Sequence, residues 1–78
     1  MAVLRLFASA REAAGTERDV IDAPTVGAVL DEARARYGER FVAVLERSRV
    51  WCNGDPVDLD HPVGDGDEVA VLPPVSGG

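Results

Sequence analysis

A single amphipathic helix pattern, with strand patterns on both sides of it, most constrains how this chain folds. Apolar residues at offsets of three and four mark one helix face. They are Val26, Val29, Leu30, Ala33 and Tyr37. Thr25 precedes this stripe as the predicted N-cap, and Gly38 follows it as the predicted left-handed residue that ends the helix. Because 78 residues form one domain, the helix has a single sheet on which to pack.

Period-two alternation predicts strands before and after this helix. In the first strand, over residues 1–8, one face holds Leu4, Leu6 and Ala8. The other predicted strands span residues 17–22, 49–53, 57–59 and 68–72, with turns at 53–56 and 65–67 and short helical stretches at 9–14 and 41–45. This order predicts an α+β domain over residues 1–72, with four to five strands and one main helix on one face of the sheet. A flexible tail over residues 73–78 follows.

The strand face that the helix leaves uncovered, here named the open face, is the first candidate site. Alternation assigns to it Val3, Arg5, Phe7, Arg49, Trp51, Ala70 and Leu72. Large apolar side chains with arginine at their edge are typical of a protein-binding surface. The alternative is a one-residue shift in strand register, which would place the same side chains in the core.

The segment at residues 72–78, Leu-Pro-Pro-Val-Ser-Gly-Gly, is the second candidate site. Glycine has no Cβ, so Gly77 and Gly78 fit a slot too narrow for other residues. We expect the Gly78 carboxylate to be a reactive group that a partner enzyme can reach. The double proline stiffens the base of this segment, and the backbone from Val75 onward can pair with a partner as a strand. The alternative is an inert, frayed chain end.

Charge and composition argue against several other functions. A net charge of −6 disfavours nucleic acid as a partner. One cysteine and one histidine cannot close a metal site, and Cys52 with His61 lacks the third group that orients a catalytic pair. All eight basic residues are arginine, so attachment of Gly78 to a lysine of another copy is excluded. Without a signal or membrane segment in the sequence, we expect a cytoplasmic protein that binds no membrane.

Three sequence blocks resemble the small subunits of molybdopterin synthase, within the MoaD and ThiS family of ubiquitin-like sulfur carriers. Residues 6–16 are similar to the family's F-A-x-x-R-E-x-x-G start, and residues 50–54 to its V-x-V-N-G strand and turn. Residues 65–78 are similar to its D-G-D-E-V-A-x-x-P-P-V-S/T-G-G end, which is the most specific block. The resemblance covers the whole chain. Trp51 and Cys52 depart from the small or aliphatic residues usual at their positions.

The resemblance implies a β-grasp, ubiquitin-like fold with a mixed sheet, and a chain that binds no cofactor and is not catalytic alone. It implies that a MoeB-like adenylyltransferase, using ATP and Mg, adenylates the carboxylate of Gly78. A sulfur donor then replaces AMP and leaves a thiocarboxylate. The tail enters the MoaE-like large subunit of the synthase, which uses the sulfur for the molybdopterin dithiolene. Phe7 and Leu72 match contact positions of the family.

Three alternatives remain open at this point. The sulfur acceptor can instead be a precursor of the thiamine thiazole, of cysteine or of a thiolated transfer RNA. The chain can be a ubiquitin-like modifier that joins Gly78 to lysines of other proteins. It can also be a β-grasp interaction module whose tail is inert.

Overall fold

The computed structural model describes residues 1–74, and it confirms the predicted α+β class. The strands are Ala2–Leu6 (β1), Arg18–Ile21 (β2), Arg49–Cys52 (β3), Asp55–Pro56 (β4) and Glu68–Leu72 (β5). The helices are Ala8–Ala14 (α1), Val26–Tyr37 (α2) and Glu39–Leu45 (α3). The longest of them, α2, is the main helix that the apolar stripe predicts.

The five strands form one mixed sheet in the order β2-β1-β5-β3-β4. β1 is antiparallel to β2 and parallel to β5, and β3 is antiparallel to both β5 and β4. A parallel pair requires a crossover connection, because a tight hairpin reverses the chain direction. α2 and α3 lie within that connection. The last strand therefore occupies the centre of the sheet.

Alternate strand residues and the inward faces of the helices form one core. Its buried members are Ala2, Leu4, Leu6, Ala10, Ile21, Val26, Val29, Leu30, Ala33, Phe41, Leu45, Cys52, Val69 and Val71. The predicted core faces of β1, β3 and β5 are thus confirmed at Leu4, Cys52 and Val71. Ala8 is an exception, since the first strand ends at Leu6 and Ala8 is exposed at the start of α1.

Helix α2 begins as the sequence predicts, because the Thr25 hydroxyl oxygen accepts a hydrogen bond from the Ala28 N–H at 3.1 Å. Two further N–H groups of its first turn, those of Val26 and Gly27, donate to the carbonyls of His61 and Leu59 at 2.9 and 2.7 Å. A Cβ at Gly27 would lie 3.1 Å from the Leu59 carbonyl oxygen, so glycine permits this close approach. The long connection before β5 is thereby fastened to α2.

Two local predictions need correction. Gly38 has a positive φ of 85°, but its ψ of −166° lies outside the left-handed helical region, because the residue forms the corner between α2 and α3. The turn predicted over 53–56 contains only Asn53 and Gly54, whose φ angles of 51° and 86° suit a two-residue hairpin. The strand therefore resumes at Asp55–Pro56, and the strand predicted over 57–59 is wrong.

A polar cluster fastens the edge strand β2 to α2. The Asp19 carboxylate accepts hydrogen bonds from the Tyr37 hydroxyl and, at 3.0 Å, from the Arg36 guanidinium. Arg36 also donates to Glu32 at 3.0 Å. The Tyr37 hydroxyl is the largest cause of the lowered pKa of Asp19, and burial followed by the bond to Asp19 raises the pKa of Tyr37. Asp19 is thus held ionised and Tyr37 neutral.

Candidate functional site

The open face lies where the alternation predicts, and strand register adds members to it. Val3 pairs with Val20 and with Glu68, while Arg5 pairs with Arg18, so β2 and β5 contribute Arg18, Val20 and Glu68. None of these three residues is among those predicted for the open face. Period-two alternation in β2 could have identified two of them, Arg18 and Val20, because they alternate with the inward-facing Asp19 and Ile21.

One row of paired residues crosses the open face from edge to edge. In order across the strands it is Arg18, Arg5, Ala70, Trp51 and Pro56. Because the Ala70 side chain is only a methyl group, the surface of the open face is lowest at the centre of this row. Arg49 and Leu72 pair in the next row, at the end of the sheet where β5 finishes.

Phe7 is the most exposed of the three predicted apolar contact residues. Its side chain is 40% exposed, whereas Trp51 and Leu72 are half-buried. The Arg5 guanidinium carbon lies 5.9 Å from the centre of the Phe7 ring, within cation–π range. The same guanidinium lies 3.5 Å from a carboxylate oxygen of Glu68. Phe7 and Arg5 therefore form one contiguous apolar and cationic surface.

The carboxyl-terminal site begins at the centre of the sheet. β5 ends at Leu72 between β1 and β3, and Pro73, which the sequence assigned to the tail, is buried while Pro74 is exposed. Val75, Gly77 and Gly78 lie outside the described residues. The five residues from Pro74 to Gly78 extend to about 17 Å at most.

Cys52, His61 and the acidic side chains do not form a catalytic or metal-binding site within residues 1–74. Cys52 is buried in β3, where burial and, to a lesser degree, Asp67 raise the pKa of its thiol. His61 is exposed on the loop beside α2. Across residues 1–74, no three histidine, cysteine or acidic side chains converge to hold a metal ion. Over the same residues, no helix has both the length and the apolar character required to cross a bilayer.

Comparison with known proteins places this geometry in a family. The ThiS family model matches residues 4–78. The molybdopterin synthase sulfur carrier subunit of Escherichia coli (strain K12) is 42% identical over 76 residues, covering 92% of this chain and 93% of that protein.

Two solved structures share the fold over nearly the whole chain. The small archaeal modifier protein 1 (SAMP1) of Methanosarcina acetivorans has a TM-score of 0.86 and 29% identity, covering 99% of this chain and 95% of that one. A complex of subunits 1 and 2 of the molybdopterin-converting factor from Helicobacter pylori 26695 gives a TM-score of 0.75 and 26% identity, covering 99% and 97%. The ubiquitin-like β-grasp prediction is thus confirmed, and the chain belongs to the ThiS family of sulfur carriers.

Proposed function

We propose that this chain is the sulfur-carrying small subunit of a molybdopterin synthase, with the carboxyl group of Gly78 as the attachment point for sulfur. The observation that carries the proposal is the 42% identity to the Escherichia coli molybdopterin synthase sulfur carrier subunit. The family match supports it, because residues 4–78 include both Gly77 and Gly78.

The proposed chemistry needs only a free carboxylate on this chain. An α-carboxyl group is ionised at neutral pH. Its oxygen attacks the α-phosphorus of ATP, pyrophosphate leaves, and the product is an acyl-adenylate. Hydrosulfide from the sulfur donor then attacks the acyl carbon, AMP leaves, and the product is a thiocarboxylate. The adenylating partner supplies Mg and the positive groups that neutralise the phosphates.

The position of β5 suits delivery of that group. A segment that leaves from the central strand starts beside the open face, so a partner that binds the open face also receives the tail. Burial of Pro73 fixes the start of the tail, which lowers the entropy lost when a partner captures it. Gly77 keeps the approach narrow, and Val75 offers backbone groups for strand pairing.

The proposed acceptor of the tail is a MoaE-like large synthase subunit. The Helicobacter pylori relative is found in a complex of subunits 1 and 2 of the molybdopterin-converting factor. On this chain the contact residues would be Phe7, Trp51, Leu72 and Arg5, with Val75 in the tail. A MoeB-like adenylyltransferase and a sulfur donor are the other proposed partners.

A second candidate function is protein modification through Gly78. The observation that favours it is the likeness to small archaeal modifier protein 1, at a TM-score of 0.86. Loading by adenylation is common to both functions, so they differ in what attacks the activated carbonyl. A sulfur donor gives a carrier, whereas a lysine amine of another protein gives a conjugate.

Intact-mass measurement of the chain tests the two functions. The chain is incubated with the adenylyltransferase of its own host, ATP, Mg and a sulfide donor. We expect a mass increase equal to the exchange of one oxygen atom for sulfur, and loss of that increase in a variant that lacks Gly78. Conjugates of the chain to lysine in host extract would favour the modifier. If the mass of the chain stays unchanged although the same adenylyltransferase activates another carrier, both functions are contradicted.

A further inference from the structure

The open face has the opposite charge balance from the rest of the chain. Its strand positions carry three arginines, Arg5, Arg18 and Arg49, and one acid, Glu68. The whole chain has eight basic and 14 acidic residues, so five arginines and thirteen acids lie elsewhere. The open face is therefore cationic although the chain as a whole is acidic.

Arg5 and Arg18 face each other across the β1–β2 ladder. The Leu6 N–H donates to the Glu17 carbonyl at 2.9 Å, so Leu6 and Glu17 form a hydrogen-bonded pair. Arg5 and Arg18 are the next pair, which is of the non-hydrogen-bonded kind with side chains closest together. Like charges placed directly opposite destabilise a sheet. The folded chain therefore carries the repulsion between Arg5 and Arg18, which neutral polar residues at these two positions would remove.

Ion pairing within the fold does little to relieve this repulsion. Arg5 has one ion pair, with Glu68 at 3.5 Å, and both side chains are about half exposed, so the pair adds little stability. Over residues 1–74, neither Arg18 nor Arg49 has an ion pair. On helix α2, by contrast, Arg34 and Arg36 are both paired with acids, whereas Arg40 on α3 has no ion pair within residues 1–74.

The charges flank an apolar centre. Ala70 lies between Arg5 and Trp51 in the transverse row, and Leu72 follows it on the same strand face beside Arg49. An apolar side chain placed over Ala70 would have guanidinium groups on two sides. Such a surface fits a partner whose apolar contact residues are flanked by carboxylates.

Charge also decides between possible occupants. A second copy docked face to face would bring like arginine sets together in a symmetric contact, which costs energy. Nucleic acid would meet the repulsion of a chain with a net charge of −6. A protein surface with a few carboxylates at its rim places its negative charge beside the arginines and presents far less total negative charge to the acidic chain than nucleic acid does.

We propose that the open face recognises an apolar protein surface flanked by carboxylates, and that Arg18 and Arg49 select it through their charge. The proposal deepens and rests on the proposed role in a molybdopterin synthase, in which the large subunit presents those carboxylates. Phe7 and Trp51 then supply apolar contact area, while the arginines set the rate of encounter and the choice of partner.

Charge-reversal variants test the proposal against the large synthase subunit encoded by the same genome. Arg18→Glu and Arg49→Glu are compared with Arg40→Glu, an exposed arginine on α3 that undergoes the same charge change in the helix layer. Surface plasmon resonance at about 0.05 M and about 0.5 M NaCl resolves the screened and unscreened interactions. Each open-face variant should lower the association rate constant about tenfold at low salt, with a smaller loss at high salt. Arg40→Glu should change it less than about twofold.

Stability measurements on the same variants separate binding from folding. Arg18→Glu replaces a like-charge pair with an opposite-charge pair against Arg5, so its thermal midpoint should rise by roughly 1–5 °C. If a variant has a higher thermal midpoint and a lower association rate constant, the slower binding is not caused by misfolding. Arg18→Gln should bind at a rate between those of the native chain and Arg18→Glu.

Each other outcome overturns the proposal in a distinguishable way. If Gly78 is loaded with sulfur and the complex forms, but Arg18→Glu and Arg49→Glu bind like Arg40→Glu, the charge selection is wrong and the proposed function stands. If sulfur loading fails and no complex forms, both are wrong. Binding of single-stranded polyuridylate, or a dimer in sedimentation equilibrium that Arg18→Glu dissociates, would assign the arginines to nucleic acid or to a second copy.

Discussion

The two faces of the sheet are built from alternate residues of the same strands, yet they satisfy different physical requirements. On the helix-covered face, Leu4, Val69 and Val71 have no exposed surface. On the same face, the Asp19 carboxylate is hydrogen-bonded to Tyr37 and Arg36. On the open face, Phe7 is 40% exposed and Arg18 faces Arg5.

The difference shows that neighbouring residues of one strand can be assigned to different properties of the protein. Substitutions on the covered face should change the free energy of unfolding and leave binding to the folded chain intact. Substitutions on the open face should change binding more than they change the free energy of unfolding. Pairs of variants one residue apart therefore test the comparison directly.

The largest effect is expected at the centre of the covered face. Leu4→Ala should lower the free energy of unfolding by about 2–5 kcal/mol, because it removes buried methylene groups and leaves a cavity. That is a large share of the stability of a small domain, about 5–15 kcal/mol. Urea denaturation followed by circular dichroism measures the change.

Val3→Ala, one residue away on the open face, is the matched control. Val3 is half-buried, and its truncation should cost about 1 kcal/mol or less. Equal losses at Leu4 and Val3 would show that the two faces do not differ in packing.

The next largest effect is expected on affinity. Phe7→Ala should weaken the complex with the large synthase subunit by about 2 kcal/mol, or roughly thirtyfold in Kd, as for an apolar anchor at an interface centre. Because the ring is 40% exposed in the free chain, the free energy of unfolding should change much less. Isothermal titration calorimetry gives the affinity.

Leu59→Ala provides the comparison for this prediction. Leu59 is an apolar residue that is 57% exposed on the loop beside α2, away from the open face. Its truncation should leave Kd unchanged. A similar loss of affinity at Leu59 would place the partner over that loop.

Much of this architecture follows from patterns in the sequence. Period-two alternation identified the covered and open faces of β1, β3 and β5, and the helical stripe with Thr25 identified α2. These signals are local, since each depends on residues a few positions apart. The family resemblance then supplied the fold and the sulfur-carrier family, both of which are confirmed.

The errors arose where geometry depends on backbone angles or on distant partners. Composition marked the hairpin at Asn53 and Gly54, but positive φ at both residues shortened the turn and moved β4 to Asp55–Pro56. The cross-strand pairing of Arg5 with Arg18 depends on how α1 spans the β1–β2 connection. The contacts of Val75, Gly77 and Gly78 remain predictions.

A smaller effect is expected at the polar cluster of the covered face. Tyr37→Phe removes the hydroxyl that binds Asp19 and should cost about 1–2 kcal/mol at neutral pH. The folded state lowers the pKa of Asp19, so its contribution is present above the ordinary value of 3.8 and is lost as pH falls through the folded value. The folded state raises the pKa of Tyr37, so that contribution is lost as pH rises above the ordinary value of 10.0.

The stability difference between the native chain and Tyr37→Phe should therefore be greatest at neutral pH and should narrow in both acid and alkali. Urea denaturation at about pH 3, 7 and 11 tests this dependence. The stability difference between the native chain and Asp19→Asn should likewise become smaller in acid. A difference that stays constant with pH would show that the cluster contributes packing and not charge.

The smallest effect is expected where the chain passes from the open face to the helix layer. Ala8, between Phe7 and the rest of α1, has a φ of +50°. A left-handed conformation costs an L-residue with a Cβ roughly 1–2 kcal/mol, and glycine escapes that cost but loses about 0.5–1 kcal/mol more through unfolded-chain entropy. Ala8→Gly should thus stabilise the fold by up to about 1 kcal/mol, with no packing lost because Ala8 is exposed.

Ala13→Gly in the same helix sets the opposite expectation. Ala13 does not have a positive φ and packs partly against the core, so its replacement by glycine should destabilise the fold by about 1 kcal/mol. Opposite signs for one substitution at two positions of a seven-residue helix would show that Ala8 holds backbone strain. If both variants lose stability equally, the positive φ of Ala8 carries no strain that glycine relieves.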